Sequence, residues 1–268
     1  MTESSQTEND RAKGPAPRNR RRRLISPDGP CFREAGAVSL ASSVPILDNL
    51  RDKRSVVGEE LRFLAARVLD LQRERRLSCL AVTSALPGEG KSTVSTGLAG
   101  ALAWEPGRSV LLLEADLRRP SLCARLGVPP SAGLSEFLTG QIEQMPLRRV
   151  NPGSFFLVVA GQAEFDRPEV LQSQRMEAAL RGARQRFDIV LVDSTPLLPV
   201  TDAVLMQDLV DGFLLVVRSR QTPRDAVDEA TSKLRPGRCL GLVLNDHTVY
   251  RHSYKAYGYQ RYGMDYGR

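Results

Sequence analysis

One short stretch constrains the fold more than any other part of the chain. The apolar run CLAVTS (79–84) leads into ALPGEGKST and then into a helix-length segment, 91–104. Glycines at 88 and 90 let backbone amides face phosphate oxygens, and the positive end of the following helix points at the same anion. A strand, a GKS core and a helix in this order predict a phosphate-binding loop, or P-loop, rather than a glycine-rich turn with a chance GKST. Its predicted phosphate-binding residues are Gly88, Glu89, Gly90, Lys91, Ser92 and Thr93.

The hydrophobic pattern around this loop alternates between strands and helices. Continuous apolar runs of this length are typical of strands that are buried on both faces. Five more such runs occur at 109–114, 155–160, 188–193, 212–217 and 239–245. Helix-length segments lie between them at 168–186, 200–209 and 223–234. The sequence therefore predicts an α/β fold, in which a mostly parallel central sheet is covered by helices on both faces and ligands bind at the carboxyl ends of the strands.

Acidic residues follow two of the predicted strands, where a magnesium nucleotide would need them. LLLEADLRRP places Glu114 at the end of one strand with Asp116 just beyond it, and IVLVDSTP places Asp193 at the end of another. Acids in such positions can also be ordinary solvated turn residues. Two such strand ends together with a P-loop favour a Mg²⁺ site, since Mg²⁺ is usually held by one or two carboxylates besides water and phosphate.

The excess of positive charge lies at the two ends of the 268-residue chain. Residues 58–249 contain 23 basic and 23 acidic residues, although the whole chain has a formal net charge of +7. Residues 1–55 include PAPRNRRRR (15–23), and their polar composition predicts a disordered tail. The arginines at 20–23 can contact an anionic membrane surface or a nucleic acid, or they can serve only as a solvated tail. Residues 56–249 are predicted to form the folded domain.

All six tyrosines of the chain lie in the last nineteen residues, 250–268. They are Tyr250, Tyr254, Tyr257, Tyr259, Tyr262 and Tyr266. Tyrosines interleaved with Arg and Lys are also compatible with a segment that binds single-stranded nucleic acid, in which bases stack on the rings. The cluster is therefore a candidate functional segment, for which the residues alone leave more than one reading.

Other features set limits on location and on cofactors. No apolar run reaches the length needed to span a bilayer, and the N-terminus lacks the apolar stretch of a signal peptide, so a cytoplasmic protein is expected. The four cysteines are far apart in the sequence and favour ordinary reduced thiols over a zinc site or a disulfide framework.

With these motifs the chain resembles the bacterial tyrosine kinases (BY-kinases), which belong to the MinD/ParA-like deviant P-loop ATPases. The family combines a PGEGKS-type loop, a second acidic motif DxDxR, a DxxP motif and a tyrosine-rich C-terminal segment. This chain has PGEGKS at 87–92, ExDxR at 114–118, DSTP at 193–196 and the tyrosine cluster. The resemblance covers about residues 56–268.

The resemblance implies ATP and Mg²⁺ as cofactors, with Lys91, Asp116 and Asp193 as catalytic residues. Lys91 would bind phosphate, whereas Ser92, Asp193, Asp116 and Glu114 would form the metal site. Asp116 would also position or deprotonate an incoming tyrosine hydroxyl. The six tail tyrosines would be the acceptors of autophosphorylation, with transfer to a neighbouring subunit, and the activity would regulate capsular or exopolysaccharide polymerisation and export.

The family also implies partners. These are a separate transmembrane chain-length regulator that activates the kinase and recruits it to the inner face of the membrane, further copies of the chain in a homo-oligomer, and a phosphotyrosine phosphatase. No specific nucleic-acid partner is expected, because the folded part carries no excess of basic residues. The alternative is a non-kinase MinD/ParA-like ATPase switch that docks on a membrane or a protein partner.

Two departures from the family pattern carry predictions of their own. Glu114 stands where the family has Asp; its longer side chain can change the Mg²⁺ shell or bind through water, and Glu114→Asp is predicted to be tolerated or even to raise activity. The segment before the first strand has Glu59 and Arg62 but Ala65 where the family's oligomerisation motif ExxRxxR has its last Arg. Dimerisation or simple packing is therefore favoured over ring assembly.

Overall fold

The computed structural model describes residues 31–40, 43–151, 155–162 and 167–247 of the chain. Within these ranges eight strands form one sheet. The strands are β1 Phe32–Ser39, β2 Cys79–Ser84, β3 Val110–Glu114, β4 Met145–Asn151, β5 Phe155–Val158, β6 Ile189–Asp193, β7 Gly212–Arg218 and β8 Cys239–Asn245. Their spatial order is β1-β4-β5-β3-β6-β2-β7-β8. Every neighbouring pair is parallel except β4 and β5, which are antiparallel.

Helices cover both faces of this sheet. They are α1 Pro45–Arg51, α2 Val56–Arg75, α3 Lys91–Ala103, α4 Leu122–Leu126, α5 Leu134–Leu138, α6 Gln174–Arg186, α7 Asp202–Leu205 and α8 Arg224–Ser232, with a 3-10 helix at Pro168–Gln172. One hydrophobic core contains buried side chains of α1 to α4, and the other contains those of α5 to α8. Alternate residues of β3 enter the two cores, since Leu111 and Leu113 join one and Val110 and Leu112 join the other. The predicted three-layer α/β/α arrangement is confirmed.

The six predicted strands are confirmed, and their ends differ from the prediction by no more than two residues. The sequence did not reveal β1 and β4. Most of β1 is exposed, so FREAGAVS contains no apolar run, and arginines interrupt the apolar residues of β4. Strand β1 nevertheless pairs in parallel with β4 along the edge of the sheet. Burial on both faces makes central strands visible in a sequence, whereas edge strands lack that signal.

The folded part begins earlier than the predicted boundary at residue 56. Strand β1 and helix α1 lie within residues 1–55, which were assigned to a disordered tail. Phe32 of β1 and Leu47 and Leu50 of α1 are buried in the two cores. Helix α1 can pack closely on α3 because Gly97 and Gly100 have no side chains. A Cβ at either position would lie 2.8 Å from side-chain atoms of α1. The arginine-rich stretch at 15–23 lies outside the described residues, and so do all six tyrosines.

Two predicted helices are shorter than the sequence indicated. The segment 168–186 is interrupted at Ser173, whose extended backbone ends the 3-10 helix and whose hydroxyl caps α6 by accepting from the Met176 amide. Of the segment 200–209, only Asp202–Leu205 is helical. Apolar periodicity locates such segments, but a local cap decides where a helix begins.

Helix α2 packs on the core through one side. Leu61 and Val68 are buried there, whereas Val57 is 46% exposed. The Glu and the first Arg of the partial oligomerisation motif contact each other within the chain: Arg62 lies 2.8 Å from the Glu59 carboxylate. Arg62 also donates to the Leu50 carbonyl at 2.9 Å. Ala65, the third position, is buried in the core.

Candidate nucleotide and magnesium site

The P-loop connects β2 to α3 at the carboxyl edge of the sheet. Gly88 and Gly90 have φ angles of +84° and +92°, a region that favours glycine. Helix α3 begins at Lys91 immediately after Gly90, and the Gly90 carbonyl accepts its first helical hydrogen bond from Val94 at 2.9 Å. The loop thus ends at the positive end of a thirteen-residue helix, which is where an anion is stabilised.

Glu89 holds the P-loop in place from within. Its side chain is buried, and its carboxylate accepts from the Leu86 amide at 2.8 Å and from the hydroxyl of Thr222, beyond β7. Asn245, the last residue of β8, donates from Nδ2 to the Glu89 carbonyl at 2.9 Å. Sequence reasoning assigned Glu89 to the cofactor and missed Thr222 and Asn245, because only the sheet order brings the ends of β7 and β8 to this loop.

Lys91 lies against the second acidic motif. Its Nζ is 2.7 Å from Oδ2 of Asp116, and both side chains are largely shielded from solvent. The other carboxylate oxygen of Asp116 accepts from the Arg119 amide at 3.0 Å. The backbone amides of Ala115 and Asp116 donate to the Asp193 carbonyl at 2.8 and 3.1 Å. These contacts bring the three predicted catalytic residues together from three separate strand ends.

Asp193 is fully buried beside the start of α3. Its Oδ1 accepts from the Ser95 hydroxyl at 3.1 Å, and the Ser92 hydroxyl lies nearby. Burial raises the pKa of Asp193 to about 6, although the Lys91 ammonium and the Ser92 hydroxyl act in the opposite direction. Oδ2 is buried and has no hydrogen-bond partner among the described residues.

The residues at this edge fit a magnesium nucleotide. Mg²⁺ needs few protein ligands, because water and phosphate oxygens supply most of its shell. The unpartnered Oδ2 of Asp193 and the neighbouring Ser92 hydroxyl are suitable oxygen donors. Within the described ranges there is no group of three or more His, Cys, Asp or Glu residues that could hold a metal ion.

Glu114 and Thr93, which the sequence predicts to bind the metal and the phosphates, both contact other groups of the protein. Glu114 is buried, and its carboxylate accepts three backbone amides, from Ser121, Leu122 and Ala160. The hydroxyl of Thr93 accepts from the guanidinium of Arg125 in α4 at 2.9 Å.

The arginine of the ExDxR motif forms an ion pair with a buried aspartate, which the sequence did not indicate. Arg118 donates through Nε and one terminal nitrogen to the two carboxylate oxygens of Asp202, at 2.8 and 3.2 Å. Asp202 is fully buried at the start of α7, and its hydrogen bond raises the pKa of Arg118. The pair links the loop after β3 to the segment after β6.

No helix in the described part of the chain combines the length and the apolar character needed to cross a bilayer.

No family model matches the chain. Among curated proteins, it is 28% identical over 213 residues to the tyrosine-protein kinase YwqD of Bacillus subtilis (strain 168), an alignment that covers 78% of this chain and 89% of YwqD. It is 36% identical over 172 residues to the succinoglycan biosynthesis transport protein ExoP of Rhizobium meliloti (strain 1021), covering 62% of this chain. The chain spans only 22% of ExoP.

Among solved structures, the fold is similar to the kinase domain of the Escherichia coli tyrosine kinase ETK. The two superpose with a TM-score of 0.69 at 28% sequence identity, over 84% of this chain and 85% of the ETK domain. The likeness therefore extends over nearly all of the solved domain.

Proposed function

We propose that this chain belongs to the bacterial tyrosine kinases and that it transfers the γ-phosphoryl group of ATP to the tyrosines of its own C-terminal segment. The observation that carries the proposal is the meeting of Lys91, Asp116 and Asp193 beside the P-loop. Lys91 Nζ lies 2.7 Å from Asp116 Oδ2, and the Asp116 amide lies 3.1 Å from the Asp193 carbonyl.

The P-loop and Lys91 bind the nucleotide in this proposal. Backbone amides around Gly88 and Gly90, together with the start of α3, face the phosphates, and the Lys91 ammonium pairs with the β and γ oxygens. Phosphate oxygens then compete with Asp116 for the same ammonium group. Nucleotide binding is thereby coupled to the position of the Asp116 carboxylate.

Ser92, Asp193 and Asp116 are the proposed holders of Mg²⁺. The ion, when bound, neutralises charge on the phosphates during transfer. Asp193 is suited to this role because its buried Oδ2 has no hydrogen-bond partner among the described residues. The hydroxyl of Ser95 fixes the other oxygen and so orients the carboxylate.

Asp116 is the proposed acceptor or positioner of the tyrosine hydroxyl. A tyrosine has an unperturbed pKa of about 10, so a nearby carboxylate is needed to accept its proton near neutral pH. Hydrogen bonding to the Arg119 amide holds Asp116 in one orientation while its other oxygen faces Lys91. Precise placement of this kind supplies much of the catalysis of phosphoryl transfer.

The last described strand before the tyrosine cluster ends beside the P-loop. Strand β8 ends at Asn245, whose side chain contacts the P-loop residue Glu89. Nineteen residues span up to about 60 Å when extended, which is enough to reach the site of a neighbouring copy. We therefore assign the acceptor role to Tyr250, Tyr254, Tyr257, Tyr259, Tyr262 and Tyr266, with transfer between subunits of a homo-oligomer.

The proposed setting is polysaccharide export. ExoP is named for succinoglycan biosynthesis transport, and this supports a role in polymerising or exporting a capsular or extracellular polysaccharide. The proposed partners are a separate transmembrane chain-length regulator, which would recruit this cytoplasmic kinase to the inner face of the membrane, and a phosphotyrosine phosphatase that would reset it.

The test is to incubate the purified full chain with ATP and Mg²⁺ and to locate phosphate by mass spectrometry. Phosphate is expected on the tyrosines of 250–268, and a chain that ends at Thr248 should bind ATP but label poorly. Replacing all six tyrosines by Phe is the matched control, because it keeps the length and the basic residues of the segment. ATP hydrolysis without labelling, with or without a membrane activator, would instead favour the ATPase switch.

A further inference from the structure

Glu114 has a different environment from the other acids of the site. Its Oε1 accepts from the amides of Ser121 and Leu122 at 2.6 and 2.7 Å, and its Oε2 accepts from the amide of Ala160 at 3.0 Å. Three of the roughly four acceptor positions of a carboxylate are thus used by backbone donors. The side chain is only 1% exposed.

These three hydrogen bonds close the loop that carries Asp116. The loop begins after Glu114, the last residue of β3. It ends at Ser121 and Leu122, where α4 begins and where two amides bind the Glu114 carboxylate. Between these points Asp116 accepts from the Arg119 amide. The third hydrogen bond, from Ala160, attaches the same carboxylate to the segment that follows β5. Glu114 therefore fixes both ends of the loop and its distance from the neighbouring strand.

Asp193 and Glu114 face each other in register on adjacent strands but have opposite hydrogen-bonding states. Asp193 keeps one buried oxygen without a partner among the described residues, whereas each oxygen of Glu114 has at least one backbone donor. Withdrawing Glu114 toward Mg²⁺ would leave buried amides unpaired, and such amides are costly. We propose that Glu114 is not a magnesium ligand but a positioning residue, which holds Asp116 against Lys91.

The length of the side chain is central to this role. An aspartate is shorter by one carbon–carbon bond, about 1.5 Å, and could not reach amides that lie 2.6, 2.7 and 3.0 Å from the glutamate oxygens without moving the loop. A glutamine has the right length but presents one NH₂ group to these N–H donors. Glu114→Asp should therefore disturb the loop more than Glu114→Gln does, contrary to the tolerance that the family pattern predicts.

The test measures Mg²⁺ binding and loop protection in the full chain. Mg²⁺ is titrated at a fixed concentration of a fluorescent ADP analogue, and amide hydrogen exchange is followed over residues 119–126. For Glu114→Gln the Mg²⁺ midpoint should shift by less than about fivefold, only as far as a displaced Asp116 allows, whereas Asp193→Asn should shift it more than tenfold. Exchange over 119–126 should be faster in Glu114→Asp than in Glu114→Gln.

Enzyme kinetics distinguish a positioning role of Glu114 from a role in folding alone. In Glu114→Gln, kcat for tail phosphorylation should fall at least tenfold while the KM for ATP changes by less than threefold, because the P-loop is intact and Asp116 is misplaced. A Mg²⁺ midpoint that shifts in Glu114→Gln as it does in Asp193→Asn would overturn the inference, and so would unchanged exchange in Glu114→Asp. If Glu114→Asp does not fold, Glu114→Gln alone decides through its Mg²⁺ midpoint.

The inference rests on the proposed nucleotide site, but its test can fail separately from the proposed kinase activity. Mg²⁺ midpoints and amide exchange are measured with ADP and need no phosphoacceptor. A chain that binds Mg²⁺ and ADP as described but never labels its tyrosines would contradict the kinase and leave the role of Glu114 supported.

Discussion

The Lys91 ammonium lies 2.7 Å from Oδ2 of Asp116, and both groups are mostly withdrawn from solvent. One pair thus joins the P-loop to the loop after β3, and it places the predicted phosphate-binding cation next to the predicted acceptor of the tyrosine proton. Any phosphate that binds Lys91 therefore changes the surroundings of Asp116.

Lys91→Met should abolish tight ATP binding. It removes two charge-assisted hydrogen bonds to phosphate, at least about 3 kcal/mol or a hundredfold in affinity. Isothermal titration calorimetry with MgATP measures the effect. Lys53→Met, at an exposed lysine, is the control and should bind as wild type. Tight MgATP binding by Lys91→Met would show that the P-loop assignment is wrong.

Asp116→Asn should lower phosphoryl transfer about a hundredfold or more and leave ATP affinity much less affected. Asparagine keeps the size and can still accept from the Arg119 amide, but it loses the charge that a proton acceptor needs. Initial rates of tail labelling and separate measurements of ATP binding distinguish the two effects. Labelling at a near-normal rate would exclude Asp116 as the acceptor.

Asp193→Asn should change how stability depends on pH. The pKa of Asp193 is raised from 3.8 to about 6, so its contribution to stability is present below pH 4 and is lost as the pH rises through 6. This difference in pKa corresponds to on the order of 3 kcal/mol in the free energy of unfolding. In metal-free buffer, denaturation at pH 4.5 to 8 should show Asp193→Asn gaining stability over the wild type with rising pH. A gap that does not vary with pH would contradict the assigned shift.

Arg118→Met should destabilise the fold by about 2 kcal/mol. It leaves the fully buried carboxylate of Asp202 without its bidentate partner, and the partial exposure of Arg118 keeps the cost below that of a fully buried pair. Chemical denaturation of both proteins at pH 7 measures this loss in the free energy of unfolding. Arg181→Met removes an exposed pair with Glu177 and should cost less than about 0.5 kcal/mol. Equal costs for the two variants would refute a structural role for the Arg118–Asp202 pair.

Gly90→Ala should lower the free energy of unfolding more than Gly88→Ala. Both glycines have positive φ angles, but a Cβ at Gly90 would lie 2.0 Å from Nδ2 of Asn245, whereas a Cβ at Gly88 would meet nothing within 4 Å. The Gly88 variant therefore reports backbone strain alone. Adding Asn245→Gly to Gly90→Ala should recover part of the loss in thermal unfolding, and no recovery would mean that Asn245 is not the obstacle.

Much of the site was predictable from the sequence because its signals are local. A strand, a glycine-rich turn and GKS must be adjacent in the chain to work together, and central strands are apolar because both their faces are buried. Those features revealed the P-loop, Asp116 and Asp193, and the sheet order then brought them to one edge.

Tertiary structure alone decided which partners these residues have. Asp202 pairs with Arg118 across 84 residues of sequence, and Asn245 reaches Glu89 across 156. Glu114 matched a metal motif in the sequence, but its carboxylate is engaged by backbone amides that approach from two loops. A motif specifies the type of a side chain and its place along a strand. The hydrogen bonds that this side chain makes depend on which distant backbone groups the fold buries beside it, since buried donors must find an acceptor.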